Sequence, residues 1–144
     1  MIELSTHIIE AETQGHTHII DITDQVQEML SKEGCEEGQV LIAAMGSTAG
    51  ITTLEFEQGL VNFDVRNMLS KIAPYDAGYE HNRTWGDNNG AAHLRSALIG
   101  TSRTIPFQHG KLILGTWQQI VFIDFDTRAR HRQIVLQFMG RKRL

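Results

Sequence analysis

Alternating apolar and polar residues, together with short apolar runs, divide the first part of the chain into predicted strands. Residues 2–9 and 16–20 are rich in strand-forming residues, and each predicts a strand. Residues 39–44 form a continuous apolar run, and residues 51–56 are rich in β-branched residues. Runs of this length between turn residues are typical of buried strands. The first half of the chain therefore predicts a sheet-forming region.

Apolar residues recur with a helical period in three other stretches. Residues 24–33 follow a capping Thr-Asp pair and end at Gly34, and residues 60–72 form an amphipathic stretch that ends before Pro74. Residues 92–99 predict a third, short helix. The remaining strands are predicted at residues 103–107, 112–114, 119–125 and 133–139. This order predicts an α+β fold with a mixed or mostly antiparallel sheet and two main helices plus a short one.

Length and composition are those of one globular domain. The chain has 144 residues, of which 41% are hydrophobic and 21% charged, so we predict a single domain over residues 1–144. The net charge of −4 argues against a nucleic-acid partner, and no apolar run reaches the length of a membrane span. The single cysteine, Cys35, cannot form an internal disulfide, which favours a reducing, cytoplasmic location.

A polar stretch over residues 73–92 has no periodicity and is predicted to be a long loop. Loops of this length in small domains are usually functional. His81 and His93 flank its second half, Asp87 and Asn89 lie between them, and glycines allow the chain to fold back. Imidazole nitrogens with carboxylate or amide oxygens suit a divalent metal or acid–base chemistry. The alternative is that these histidines are exposed loop residues.

Other residues could contribute to such a site. Glu55 interrupts an apolar strand and, if buried, would suit a general base, whereas a surface-facing position is the alternative. Ser47 and Thr48 lie between two glycines and could bind a phosphate or carboxylate, although turns use the same residues. His16 and His18 would share a face of a strand and form a second candidate pair, or a solvated strand face.

Specific motifs then identify a resemblance that covers nearly the whole chain. The Leu-Gly-Thr-Trp-Gln run at residues 114–118 and the paired histidines are the most specific of them. The matching segments are residues 79–82, 86–94, 96–102, 105–106 and 110–120. In these segments the chain resembles the YjbQ family (UPF0047), which has been linked to a secondary thiamine phosphate synthase activity.

The resemblance implies a compact α+β fold and a homotrimer. It implies that His81 and His93 bind a divalent metal, with zinc the first expectation, and that Glu55 lines the site, where it could move a proton. It also implies that Asn89 and Gln118 line the site. Together with the residues discussed above, the expected site comprises catalytic Glu55, His81, Asp87 and His93, and substrate-binding Ser47, Thr48, Asn89 and Gln118. Some family members have a histidine at the position of Gly46, so this chain departs from them there.

Two functions follow as expectations. The first is a metal-dependent enzyme that resembles secondary thiamine phosphate synthase and acts on a small phosphorylated metabolite; a metal-assisted hydrolase or lyase acting on another small anionic metabolite is equally compatible. The second is a non-catalytic trimeric module that binds a small anionic ligand or a metal. Turnover above background would favour the enzyme, and a ligand that exchanges unchanged would favour the module.

Overall fold

Two antiparallel sheets form the framework of the computed structural model, which describes all residues from 1 to 144. The larger sheet has five strands in the order β1, β8, β3, β5, β6. The smaller has three strands in the order β2, β7, β4. The strands are β1 (Ile2–Thr13), β2 (His18–Asp21), β3 (Cys35–Ala44), β4 (Ala49–Leu54), β5 (Ser102–Gln108), β6 (Lys111–Leu112), β7 (Gln119–Asp124) and β8 (Arg130–Lys142).

Four α-helices connect these strands. They are α1 (Thr23–Glu33), α2 (Val65–Ile72), α3 (Glu80–Trp85) and α4 (Gly90–Ile99). A π-helical turn, Leu60–Asp64, leads directly into α2. Gly34 ends α1 in the left-handed conformation that glycine adopts without steric cost, as the sequence predicted. The α+β fold, with antiparallel sheets, is therefore confirmed.

Two hydrophobic clusters hold the layers together. Alternation along β7 divides its side chains between them: Ile120 and Phe122 join the larger cluster, while Val121 and Ile123 join the smaller. The larger cluster links α1 with the inner faces of both sheets, and the smaller packs α2 and α4 against the other face of the three-stranded sheet. The order of layers is thus sheet, sheet, helices.

The outer face of the five-stranded sheet has no covering layer. Leu4 on β1 is paired with Met139 on β8, and Ile8 with Val135, so these side chains share that face. Leu4, Ile8 and Met139 are all exposed. A row of apolar side chains on an open sheet face is typical of a surface that meets another protein. No helix of the structure is long and apolar enough to cross a membrane.

Three local predictions were wrong. The predicted loop over residues 73–92 contains the helix α3, which Gly86 ends in a left-handed conformation. The second strand begins at His18, because His16 and Thr17 both have positive φ angles and cannot continue a strand. Glu55 does not lie inside a strand: β4 ends at Leu54, and Glu55 is exposed.

Candidate functional site

The two flanking histidines converge in space. The ring centroids of His81 and His93 lie 4.5 Å apart, and Nδ1 of His81 is 3.8 Å from Oδ1 of Asp87. Nδ1 of His81 is buried and has no hydrogen-bond partner. A buried polar atom without a partner is uncommon in folded proteins, so this nitrogen is free to bind a ligand.

Short-range contacts between α3 and α4 explain this convergence. The carboxamide of Asn82, next to His81, accepts a hydrogen bond of 2.9 Å from the backbone N–H of Gly90, the first residue of α4. A Cβ at Gly90 would stand 2.8 Å from Cβ of Tyr79, so only glycine fits. His93 lies one helical turn beyond Gly90. The Asn82–Gly90 contact therefore fixes both imidazoles relative to each other.

Buried contacts attach the connector, residues 73–89 between α2 and α4, to the rest of the protein. The Tyr75 hydroxyl donates to the carbonyl of Phe125 at 2.7 Å. Arg95 on α4 is 1% exposed, and its guanidinium donates to the Ala73 carbonyl at 2.9 Å and to the Thr17 hydroxyl at 2.7 Å. The same guanidinium lies 4.2 Å over the ring of Tyr75, a cation–π contact. The connector is therefore a braced segment and not a free loop.

Beside the histidines lies a cavity of about 510 Å³. A volume of this size is typical of sites for small molecules. Its walls come from the β3–β4 loop, the start of α4 and the β7–β8 turn with the first part of β8. The lining residues are Met45, Gly46, Ser47, Thr48, Asp87, Asn89, His93, Asp126, Thr127, Arg128, Arg130 and Arg132.

A buried network of ions forms the floor of this cavity. The guanidinium of Arg132 donates two hydrogen bonds to Asp124, at 2.7 and 2.8 Å, and one to the hydroxyl of Thr48, at 2.7 Å. Thr48 in turn donates to Asp126 at 3.3 Å, and the amide of Asn89 donates to the other oxygen of Asp126 at 3.3 Å. This chain of bonds connects the β3–β4 loop to the start of α4.

The network keeps its carboxylates charged. Burial acts to raise the pKa of Asp124, but hydrogen bonds from Arg132 and Thr13 outweigh it and lower that pKa below its ordinary value. Burial also opposes ionisation of Asp126, and bonds from the Thr127 N–H and Asn89 again lower its pKa. The hydrogen bonds with Asp124 raise the pKa of Arg132. The floor is thus permanently ionised near neutral pH.

Most of the predicted site residues come together. Ser47, Thr48, Asp87, Asn89 and His93 line the cavity, and His81 contacts His93. In addition, the carbonyl oxygen of the Asn89 side chain is buried without a partner. Two sequence-distant segments, the β3–β4 loop and the 81–93 segment, therefore share one site.

Glu55 and Gln118 do not join this group within one chain. Thr48 and Asp126 adjoin the end of the three-stranded sheet where Ala49 pairs with Asp124, whereas Glu55 and Gln118 adjoin the end where Leu54 pairs with Gln119. Six strand residues separate the two ends by about 20 Å. The amide of Gln118 is engaged locally, since it donates to Thr53 and accepts from the N–H of Gly115.

Sequence reasoning missed the charged residues of the cavity floor. Asp124 lies at the end of an otherwise apolar strand, and Arg128, Arg130 and Arg132 alternate with other residues around the start of the next. A carboxylate in a buried strand requires a cation, and that requirement was the available signal. The pair His16 and His18 does not form a site: the ring of His16 packs on Tyr75, and Nδ1 of His18 accepts from the N–H of Gln14.

The residues present partly fit a divalent metal. His81 and His93 offer two adjacent imidazoles, one with an unpartnered buried nitrogen, and a carboxylate lies nearby. These donors suit zinc and similar ions. The chain holds no group of three or more His, Cys, Asp or Glu side chains arranged around one ion, however, so a complete ligand set is not formed by a single chain in this conformation.

Comparisons with known proteins agree with the fold. The family profile described as UPF0047 protein YjbQ-like matches residues 7–141. A UPF0047 protein of Archaeoglobus fulgidus is 40% identical over 124 residues, which cover 86% of this chain and 94% of the relative. YugU of Bacillus subtilis, also a UPF0047 protein, is 33% identical over 132 residues, covering 92% of this chain and 97% of the relative.

Solved structures match over almost the full length. A YbjQ-like protein of unknown function from Sulfolobus solfataricus P2 superimposes with a TM-score of 0.91 at 31% identity, covering 97% of this chain and 99% of the other. An uncharacterised YjbQ/UPF0047 protein from Clostridium acetobutylicum gives a TM-score of 0.82 at 32% identity, covering 92% and 98%. On the profile match, the sequence identities and the shared fold, this chain belongs to the YjbQ (UPF0047) family.

Proposed function

We propose that this protein is a metal-dependent enzyme that acts on a small phosphorylated metabolite. The observation that carries the proposal is the convergence of His81 and His93, with a buried nitrogen that has no partner, beside a cavity of about 510 Å³. Asp87 and the partner-free oxygen of Asn89 lie at the same side. Nitrogen and oxygen donors of this kind bind borderline divalent cations such as zinc.

In this proposal each residue has a distinct task. His81 and His93 hold the ion, which when bound supplies Lewis-acid stabilisation of negative charge. Asp87 is 3.8 Å from the His81 nitrogen and is placed to orient that ring or to accept a proton. Ser47 and Thr48 supply hydroxyl groups to the cavity, although the hydroxyl of Thr48 is already bonded to Arg132 and Asp126. Glu55 cannot act as the base for its own chain's histidines, because it adjoins the opposite end of the three-stranded sheet from Thr48, which lines the cavity together with His93.

The test of this proposal is metal binding. Calorimetric titration of zinc into the EDTA-treated protein should give binding to the wild type and a loss of roughly tenfold or more in affinity for His81→Gln and His93→Gln. His109→Gln is the matched control, because His109 is exposed and contacts only Glu36. Equal zinc affinity in all four proteins would overturn the proposed centre.

The reaction proposed from the family resemblance joins a phosphorylated thiazole alcohol to a pyrimidine methyl diphosphate and releases pyrophosphate. Formation of thiamine phosphate is measured with and without added zinc, in the wild type and in the two histidine variants. Product formation that depends on both histidines supports the transferase. A rate that is unaffected by the metal and by both substitutions would exclude this chemistry at the site.

A binding module is the second candidate, and one observation favours it. Of the two carboxylates that line the cavity, Asp126 is fixed by hydrogen bonds and is held ionised by its environment, so only Asp87 is free to move a proton. A ligand recovered chemically unchanged after prolonged incubation with the metal-loaded protein would favour the module.

We further propose a cytoplasmic homotrimer. The open face of the five-stranded sheet, which carries Leu4, Ile8, Leu41, Val135 and Met139, supports subunit association. In such an assembly Glu55 and Gln118 would reach a cavity only from a neighbouring subunit. Sedimentation velocity should give a trimer for the wild type and a smaller species for Leu4→Lys, with Lys111→Ala as a surface control. A monomeric wild type would refute the assembly.

A further inference from the structure

Three arginines with different degrees of pairing line one side of the cavity. Arg132 is buried and bound to Asp124 by two hydrogen bonds. Arg130 is half-buried, and its Nε is 3.6 Å from Asp126, too long for a good hydrogen bond. Arg128 is exposed and forms no ion pair. The arginines are therefore less strongly paired the closer they lie to the mouth of the cavity.

The β3–β4 loop places unused hydrogen-bond donors in the same cavity. No backbone hydrogen bond uses the N–H groups of Gly46, Ser47 or Thr48, and the hydroxyl of Ser47 has no partner within the protein. This loop lies beside Arg132, since Thr48 accepts a hydrogen bond from that guanidinium. Backbone N–H groups together with guanidinium groups are the donors that bind oxyanions.

The hydrogen-bond network divides the cavity into two ends. It runs from Asn89, whose backbone carbonyl accepts from the N–H of His93, through Asp126 and Thr48 to Arg132. The first end offers imidazole nitrogens and a carboxylate, which suit a cation. The second offers guanidinium, hydroxyl and N–H donors, which suit an anion. A small ligand with a phosphate at one end matches this division.

We propose that Arg128 and Arg130, together with the 46–48 loop, bind the phosphate group of the ligand directly and without the metal. The inference rests on the proposed function in taking the ligand to be phosphorylated, but it assigns recognition of the anion to residues other than the histidines. Arg132 holds the loop in place, since its Nε and Nη2 groups are bonded to Asp124 and Thr48, so we class it as a positioning residue. Arg128 and Arg130 remain able to donate to phosphate oxygens.

The experiment is calorimetric titration of inorganic phosphate, and separately pyrophosphate, into the EDTA-treated full-length protein at low ionic strength. Arg128→Gln and Arg130→Gln should each weaken phosphate binding roughly tenfold, because each removes charge-assisted hydrogen bonds. Arg141→Gln is the matched control: Arg141 lies near the other end of β8 and is paired with Glu37. In amide-resolved NMR spectra, phosphate should shift the signals of residues 46–48.

The outcomes separate this inference from the proposed metal centre. His81→Gln and His93→Gln should retain phosphate binding even if they lose zinc. No phosphate binding by the wild type, equal binding by wild type and Arg128→Gln, or binding that requires added zinc would each overturn the inference. Failure of the zinc titration with an intact phosphate titration would overturn only the metal centre. Because Arg128 is exposed and unpaired, Arg128→Gln should fold normally, and thermal unfolding checks this.

Discussion

Replacing Arg132 with methionine tests the ion network that forms the floor of the cavity. Methionine matches much of the length of the arginine stem but removes its charge. The change removes the two hydrogen bonds, at 2.7 and 2.8 Å, that Asp124 accepts from a cation, and leaves this carboxylate, which is 0% exposed, with only the bonds from Thr13 and the Asp126 N–H. The hydroxyl of Thr48 also loses its donor. One partner of a buried pair is thus removed while the other stays buried.

The expected magnitude follows from that geometry. Removing one member of a buried ion pair costs about 3–5 kcal/mol, because the remaining charge is left uncompensated. For a chain of 144 residues the entropy of unfolding is about 0.3 kcal/mol/K. The midpoint of thermal unfolding should therefore fall by roughly 10–16 °C.

Urea unfolding at fixed protein concentration is the assay, with Arg83→Met as the control. Arg83 is exposed and paired only with Glu80, so its replacement should cost less than about 1 kcal/mol. The double variant Asp124→Asn with Arg132→Met removes both charges. It should recover about 2–3 kcal/mol relative to the sum of the single changes.

The pH dependence provides a second check. Without the bonds from Arg132, burial is less strongly opposed and the folded pKa of Asp124 should rise relative to the wild type, so the variant should lose less stability than the wild type as pH falls. In the wild type the folded pKa is lowered, so stability is lost as pH falls. The difference in the free energy of unfolding between wild type and Arg132→Met should therefore shrink from pH 7 to about pH 4. Two results would refute this account of the floor: a loss of unfolding free energy below about 1 kcal/mol in Arg132→Met at pH 7, or a larger loss that the additional Asp124→Asn change does not offset.

Three further predictions concern other parts of the molecule. Gly15→Ala should lower the free energy of unfolding by about 2 kcal/mol or more, since Gly15 has φ +76° and a Cβ would stand 2.5 Å from the Arg128 carbonyl oxygen. Urea unfolding measures this free energy, and an unchanged value would contradict the predicted steric strain. Glu33→Gln should destabilise the protein at neutral pH, because hydrogen bonds from Ser5 and Lys142 lower the pKa of Glu33 to about 2. Because the pKa of Glu33 is lower in the folded than in the unfolded protein, the carboxylate stabilises the fold at pH values above its unfolded pKa of about 4.5. The difference in unfolding free energy between wild type and Glu33→Gln should therefore disappear as pH falls from 4.5 towards 2. A difference that persists unchanged would exclude this pairing. Cys35 is buried, and burial raises the pKa of its thiol, so a thiol reagent should modify it only on unfolding, whereas rapid reaction of the native protein would contradict its burial.

The sequence alone determined most of the secondary structure. Alternation and short apolar runs fix strands locally, because side chains on a strand point to opposite faces in turn. Helical spacing and Gly34 likewise determined α1. The sequence also marked the 81–93 segment as a candidate site, since imidazole, carboxylate and amide groups on one stretch suit a metal or acid–base chemistry, with exposed loop histidines as the alternative. It did not reveal α3, because five polar residues followed by a single Trp85 carry no apolar period to distinguish a helix from a loop.

Only the tertiary structure decided which candidates share a site. The antiparallel pairing of β4 with β7 brings Thr48 to Asp126 and sends Glu55 and Gln118 to the opposite end of the sheet. No local pattern encodes that separation, because the pairing of β4 with β7 joins residues 65 or more positions apart. Asp124 and Arg132 form part of the cavity floor for the same reason. A buried charge requires a partner of opposite charge, and which residues become buried is decided by the packing of the sheets, not by the local sequence.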